Sequence, residues 1–230
     1  TIRQKIATII APFYHKKYFD YLWVSGIYQF EYAKRLGFSN EKIIFNCYSA
    51  NTNLLENHKM EINDNLKTLL FIGRFDKVKG IDILLNVFTD YINETQSKLK
   101  LKLIGGGLEM DLVKKYESES IIVKEFVQPE FLIEEVKDVQ GFILPSISEP
   151  WGVVIHEMAA AGLPLLVSDV CGANSVFAIH NYNSFIFKAN DKIELRNAIE
   201  KFDSTSNSEL NKIGKRSKVL SKKINSLTII

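Results

Sequence analysis

From residue 68 onward the chain alternates between two patterns. Short, largely apolar runs at 68–72, 99–104, 121–123, 141–144 and 164–168, with a shorter one at 184–187, predict strands buried on both faces. The segments between them, 81–92, 108–117, 130–139, 153–161 and 192–202, carry apolar residues at helical spacing and predict amphipathic helices. Strands and helices in alternation, joined by right-handed crossovers, predict an α/β fold with a doubly wound, Rossmann-like parallel sheet. In such sheets ligands gather at the carboxyl ends of the strands.

The first 50 residues read differently. A strand at 21–26 ends in Gly26, a helix at 28–36 stops at Gly37, where a left-handed cap is cheap, and a strand follows at 42–46. Two strands and two helices are too little to bury a core of their own. Residues 1–50 are therefore expected to be the remnant of an N-terminal domain (the acceptor-side one, on the family resemblance given below), the polar stretch 51–66 a linker, and 67–230 the second domain. The segment 211–223 predicts a basic helix: a solvated face, or alternatively a surface that adheres to an anionic membrane.

Composition narrows the class. The 230 residues are 46% hydrophobic and 24% charged, as in ordinary globular proteins, and a net charge of +2 gives no case for nucleic acid. Cys47 and Cys171 lie far apart, so neither a zinc site nor a disulfide framework follows; two buried thiols in a reducing cytosol are expected. No apolar run reaches the ~18 residues of a membrane helix, and no secretory leader is recognisable. The first residue, Thr1, fits a fragment of a longer protein.

Two segments carry the chemistry. In 144–164 a buried strand runs into a loop holding Glu149, and a helix opening near Gly152 holds Glu157. The unpaired amides of Gly152, Val153 and Val154 at that helix start form an anion site suited to a phosphate. Carboxylates flanking it suit a ligand with hydroxyls on both sides of a phosphate, such as a ribose diol and a hexose diol. In 71–80 a strand ends at Gly73, which permits close backbone approach, and is followed by Arg74, a planar fork for phosphate oxygens, and Lys79, a mobile point charge. Two weaker segments also follow strands: the glycine turn 105–107, which does not match a G-x-G-x-x-G dinucleotide fingerprint, and the loop around Phe126 and Val127, able to pack on a base.

Together these residues resemble glycosyltransferase family 4, retaining enzymes of the two-Rossmann-domain (GT-B) fold, and chiefly their C-terminal donor-binding domain. The match rests on Gly73-Arg74…Lys79-Gly80, the 105–107 turn, and Pro145-Ser146-x-x-Glu149-x-x-Gly152…Glu157-x-x-Ala160-x-Gly162-x-Pro164. The resemblance implies that Glu149, Arg74 and Lys79 are catalytic, Glu149 on donor-sugar hydroxyls and the cations on the departing diphosphate. It places Glu157 on the ribose, the amides around Trp151, Gly152, Val153 and Val154 on the sugar and a phosphate, Gly73 and Gly106 beside the donor, and Phe126 and Val127 at the base. It implies transfer of a hexose from a nucleoside-diphosphate sugar to a glycan or lipid-linked glycan, without a metal or other cofactor. Glu125 and Ser184 stand where the family often has glycine. A first-domain histidine near the reacting sugar has no counterpart among His15, His58, His156 and His180.

Plainer readings compete at several positions. His156 neighbours Glu157 but projects about 100° away on the helix, which favours packing. Trp151 either stacks on a sugar or caps the core, and 105–107 is either a ligand-facing turn or only a tight one. Asp76 and Lys77 read as exposed turn residues. At the level of function, a nucleotide-sugar-binding module without turnover is the alternative to an enzyme. An epimerase or a phosphorylase fits less well.

Overall fold

The computed structural model describes residues 2–45, 48–60 and 66–224. The chain divides into two compact units, the larger being Ala50–Lys223.

The smaller unit contains α1 (Ile2–Tyr18), β1 (Leu22–Trp23), α2 (Ile27–Arg35) and β2 (Ile43–Ile44), with β1 and β2 paired in parallel. Both strands are shorter than the sequence pattern predicts, and the expected strand residue Asn46, like Cys47, lies outside the described residues. Val24, Ala33, Phe38 and Ile43 form a small buried cluster. Ile9, Phe13 and Trp23 stay exposed, so this unit buries only part of its apolar surface.

The larger unit is built from β3 (Thr68–Arg74), α3 (Ile81–Thr95), β4 (Lys100–Gly106), α4 (Met110–Lys115), β5 (Ile121–Lys124), α5 (Leu132–Val136), β6 (Gly141–Leu144), α6 (Val153–Ala160), β7 (Leu165–Ser168), α7 (Asn174–Phe177), β8 (Ser184–Phe187), α8 (Lys192–Ser204) and α9 (Asn207–Ser221). Its six strands are all parallel, in the order β5-β4-β3-β6-β7-β8. The apolar runs become strands because both faces of the sheet are covered: Leu69, Leu70, Phe71, Phe142, Ile143, Leu144, Leu165, Leu166 and Val167 are fully buried. Helices pack in two groups, α3 with α4 and α8, and α6 with α7 and α9. The short helix α7 has no counterpart in the sequence reading; its four residues are too few for a periodic signal.

Residues 51–60, expected to be linker, are packed chain. Thr52, Leu55 and His58 are buried, His58 Nδ1 donates to the Ala161 carbonyl at 2.7 Å, and Lys218 Nζ holds the Glu56 and His58 carbonyls. The rest of the expected linker, 61–65, lies outside the described residues. Leaving β3, the chain steps outward through β4 and β5, then returns to β6 beside β3 and steps the other way. The reversal falls between β3 and β6, and at the carboxyl ends of two such strands doubly wound sheets form a crevice.

Candidate donor-binding site at the strand reversal

The loops that leave β3 and β6 meet across this crevice. Gly80 has φ 68° and ψ 27°, and a Cβ there would collide with the Pro145 carbonyl oxygen. Only glycine allows that approach. The Ile147 N–H donates to the Val78 carbonyl at 2.8 Å, joining the two loops again. A third loop, after β7, closes on the second: the Gly172 N–H reaches the Glu149 carbonyl at 3.1 Å, the Ala173 N–H the Trp151 carbonyl at 2.8 Å, and Ser168 Oγ the Ser146 carbonyl at 2.6 Å. A Cβ at Gly172 would strike the Pro150 carbonyl oxygen. Backbone contacts thus fix where Glu149 stands.

The charged side chains form a continuous chain across the crevice. Lys79 Nζ pairs with Glu149 Oε2, with both side chains largely buried, and Ser146 Oγ lies 3.4 Å from the same oxygen. Arg74 Nη2 pairs with Asp76 Oδ2 at 3.3 Å, and the Arg74 side chain is 74% exposed. Asp76 differs from its reading as an exposed turn residue. Its Oδ1 accepts the Lys79 N–H at 3.1 Å, capping the 3₁₀ turn Lys77–Lys79, while its other oxygen holds Arg74. Asp is a favoured N-cap residue type, and that type is the one local sign of this role in the sequence.

Beyond Glu149, Gly152 caps α6 with φ 89° and ψ 66°. The first amides of α6 have no partner inside the helix, which leaves its positive end for an anion. One turn further, burial raises the Glu157 carboxyl above its ordinary value, and no protein group among the described residues pairs with that side chain. His156 faces the other way and is fully buried. Its Nδ1 accepts the Ala50 N–H at 3.0 Å, its Nε2–H donates to the Ser221 carbonyl at 2.9 Å, and its ring stacks on Phe177 at 4.1 Å. Burial lowers its pKa, so it is a neutral packing residue.

The other expected site residues separate into two kinds. The Trp151 side chain is 5% exposed and lies edge-on to Phe177, so it belongs to the core; only its backbone faces the site loops. Gly105 and Gly107, at φ 155° and 149°, are required by the protein itself, because a Cβ at either would meet the carbonyl oxygen of Gly73 or Phe75. Gly73 and Gly106 are under no such constraint. The nearest atom to a Cβ is 3.4 Å away at Gly73 and 3.9 Å away at Gly106, so nothing in the chain demands glycine there. The Phe126 ring is 69% exposed in the loop after β5, with Val127 half-buried beside it. Cys171 is a buried free thiol, pushed up to about 12 by burial. Among the described residues no group of three or more His, Cys, Asp or Glu is arranged to hold a metal ion.

The sequence profile of the family described as "Glycosyl transferases group 1" matches residues 55–219. The chain belongs to that family. Its fold recurs in sucrose-phosphate synthase from Thermosynechococcus elongatus, with a TM-score of 0.79 and 20% identity over 99% of this chain and 59% of that one. It recurs again in Anabaena HepE, solved with UDP and glucose, with a TM-score of 0.74 and 18% identity over 98% of this chain and 64% of the other. An uncharacterized 41.2 kDa protein from the cps region of Klebsiella pneumoniae is 27% identical over 166 residues, 69% of this chain and 45% of its own length. The chain spans less than half the length of the first curated relatives it matches. This group 1 glycosyltransferase chain thus has the expected Rossmann-like architecture, and no helix among its described residues is long and apolar enough to cross a membrane.

Proposed function

We propose that this chain is the donor-binding part of a retaining glycosyltransferase that moves a hexose from a nucleoside-diphosphate sugar to a hydroxyl of a glycan or lipid-linked glycan. The observation that carries the reading is the Lys79–Glu149 pair across the strand reversal, with Arg74 on one side and the start of α6 on the other. A diphosphate lying there meets Arg74, Lys79 and the amides of Val153 and Val154. These neutralise the charge that grows on the departing nucleoside diphosphate, the part a metal plays elsewhere, because preorganised cations and amides cost no reorganisation as charge develops. Glu149 then faces the sugar hydroxyls, Glu157 the ribose, and Phe126 with Val127 the base. The unconstrained Gly73 and Gly106 leave room for the donor against the backbone. UDP and glucose in the HepE complex support a nucleotide-sugar donor, and the cps-region relative fits a role in polysaccharide synthesis. We place the protein in the cytoplasm, where nucleotide sugars are made, with the basic face of α9 available to a membrane surface.

The test is calorimetric titration with UDP, GDP and ADP of the wild type and of the Arg74→Ala/Lys79→Ala double variant. The reading expects one nucleotide to bind and the variant to bind it ~100-fold more weakly, since hydrogen bonds to charged groups contribute about 1.5–3 kcal/mol each. Unchanged affinity in the variant removes the phosphate assignment. A binding module without turnover uses the same geometry. Transfer of sugar by this chain with no added subunit rules that reading out.

A further inference from the structure

We propose that a cavity at the amino end of the sheet, between the α6–β7 turn and α9, is a second anion site that takes a phosphate group. It is distinct from the crevice above, which lies at the carboxyl ends of the strands. Two glycines create it. Gly162, at φ 79°, turns the chain from α6 into β7, and Gly214 brings α9 so close that a Cβ there would strike the Gly162 carbonyl oxygen. Lys218 lies over Gly162, and a space of about 430 Å³ remains beside it, lined by His58, Lys59, Asn211 and Lys215 as well as the glycines and Lys218.

Among the described residues its charge is one-sided. None of the Asp and Glu described there lines it. Lys218 Nζ donates to two main-chain carbonyls, Glu56 at 2.9 Å and His58, and no carboxylate among the described residues forms an ion pair with it. Burial and the neighbouring Lys222 and Lys59 lower the Lys218 pKa, opposed by the carboxylate of Glu56, which Thr52 Oγ1 engages at 2.6 Å. Lys59 and Lys215 make no ion pair among the described residues. His58 adds a second, independent sign. It is 5% exposed, its Nδ1–H is spent on the Ala161 carbonyl, and its Nε2 is buried with no partner. A buried acceptor of this kind is costly unless satisfied. A monoprotonated phosphate matches the set, its hydroxyl serving Nε2 and its charged oxygens the lysines. Charge gathered in a concave, partly dry space draws an anion more strongly than the same lysines spread over a surface.

The phosphate could be free or the headgroup of a lipid, and the experiment distinguishes the two. The chain is titrated with inorganic phosphate while the amide resonances of Gly162 and Gly214 report this cavity and those of Gly73 and Gly152 report the other end of the sheet. The expected result is a saturable shift at Gly162 and Gly214 that weakens by about tenfold or more in Lys59→Ala/Lys215→Ala, with Gly73 and Gly152 responding as in the wild type. Both lysines are exposed, so the variant should melt where the wild type does. A response that never saturates, or that survives the double substitution, overturns the site. In parallel, the chain is sedimented with phosphatidylcholine vesicles containing or lacking phosphatidic acid. Retention on the acidic vesicles that the double variant loses assigns the site to a lipid headgroup. Saturable phosphate binding without retention assigns it to free phosphate.

Discussion

The loops after β3, β6 and β7 are laced together, whereas residues 125–128 after β5 stand apart. The first three exchange main-chain hydrogen bonds at Val78, Glu149 and Trp151, and cross where Gly80 and Gly172 leave no room for a side chain. Among the described residues, the loop after β5 shows only its own Phe131 N–H to Gln128 carbonyl bond, and Phe126 projects from it. A site for a phosphate and a sugar diol needs fixed donors and acceptors, because misplacement forfeits charge-assisted hydrogen bonds. A surface for a base needs only an apolar face, which a looser loop supplies. On the proposed reading, the part that meets phosphate and sugar is therefore rigidly built, and the part that meets the base is left to a few exposed side chains.

Breaking the lacing has the largest expected effect. Gly80→Ala forces a Cβ into the Pro145 carbonyl at a positive φ, and should cost about 2–4 kcal/mol in thermal unfolding and abolish nucleotide binding. A variant that melts and binds like the wild type would show that the crossing does not set the site. Next comes Asp76, which caps the Lys79 turn and holds Arg74. Asp76→Ala should weaken nucleoside-diphosphate binding by about 3–10-fold, while Asp76→Asn, an equally good cap, should retain it. Equal losses in the two variants would assign the effect to charge instead of to the cap.

On the open side, Phe126→Ala should leave the melting temperature unchanged and alter the affinities for UDP, GDP and ADP unequally, by a few-fold. A uniform loss would remove Phe126 from base recognition. The smallest effect is expected at Glu157. Burial raises its folded pKa above the ordinary 4.5, so its contribution to stability is present below that value and lost as pH rises through the folded pKa. Glu157→Gln should therefore melt about 1–3 °C above the wild type near pH 8 and level with it near pH 4, even as it loses affinity for the ribose. A pH-independent difference would mean that the carboxylate is well solvated.

How far the sequence could be read depended on the kind of signal. The six main strands stood out because parallel strands buried on both faces need largely apolar runs; β4 departs from this at Lys100 and Lys102, and the buried Lys102 is paired with Glu135 and Asp138. Glu149, Glu157, Arg74 and Lys79 stand out because their residue types and spacing suit a diphosphate flanked by diols, the ligand proposed above. Trp151 was ambiguous because a tryptophan after a strand serves a core or a sugar equally well; its burial against Phe177 decides for the core. The linker expectation fails at 51–60 because polarity hides the buried Leu55 and His58, and because the partners of Ala50 and His58 lie more than 100 residues away on α6 and the turn after it. Asp76 was passed over because one aspartate in a charged turn has no period to mark it.

The sequence by itself determined the class of fold and pointed to the end of the sheet and the residue types that are proposed to meet a nucleotide sugar. Those follow from local periodicity and from short motifs whose spacing is set within one loop and one helix. Only the tertiary structure decided that Lys79 pairs with Glu149, 70 residues away, and that Gly80, Gly105 and Gly172 answer to the protein's own carbonyls while Gly73 and Gly106 do not. It also decided that three lysines and a buried histidine share one cavity at the far end of the sheet. Each of these depends on which loops the parallel crossovers bring side by side, and no local pattern in the chain encodes that distance.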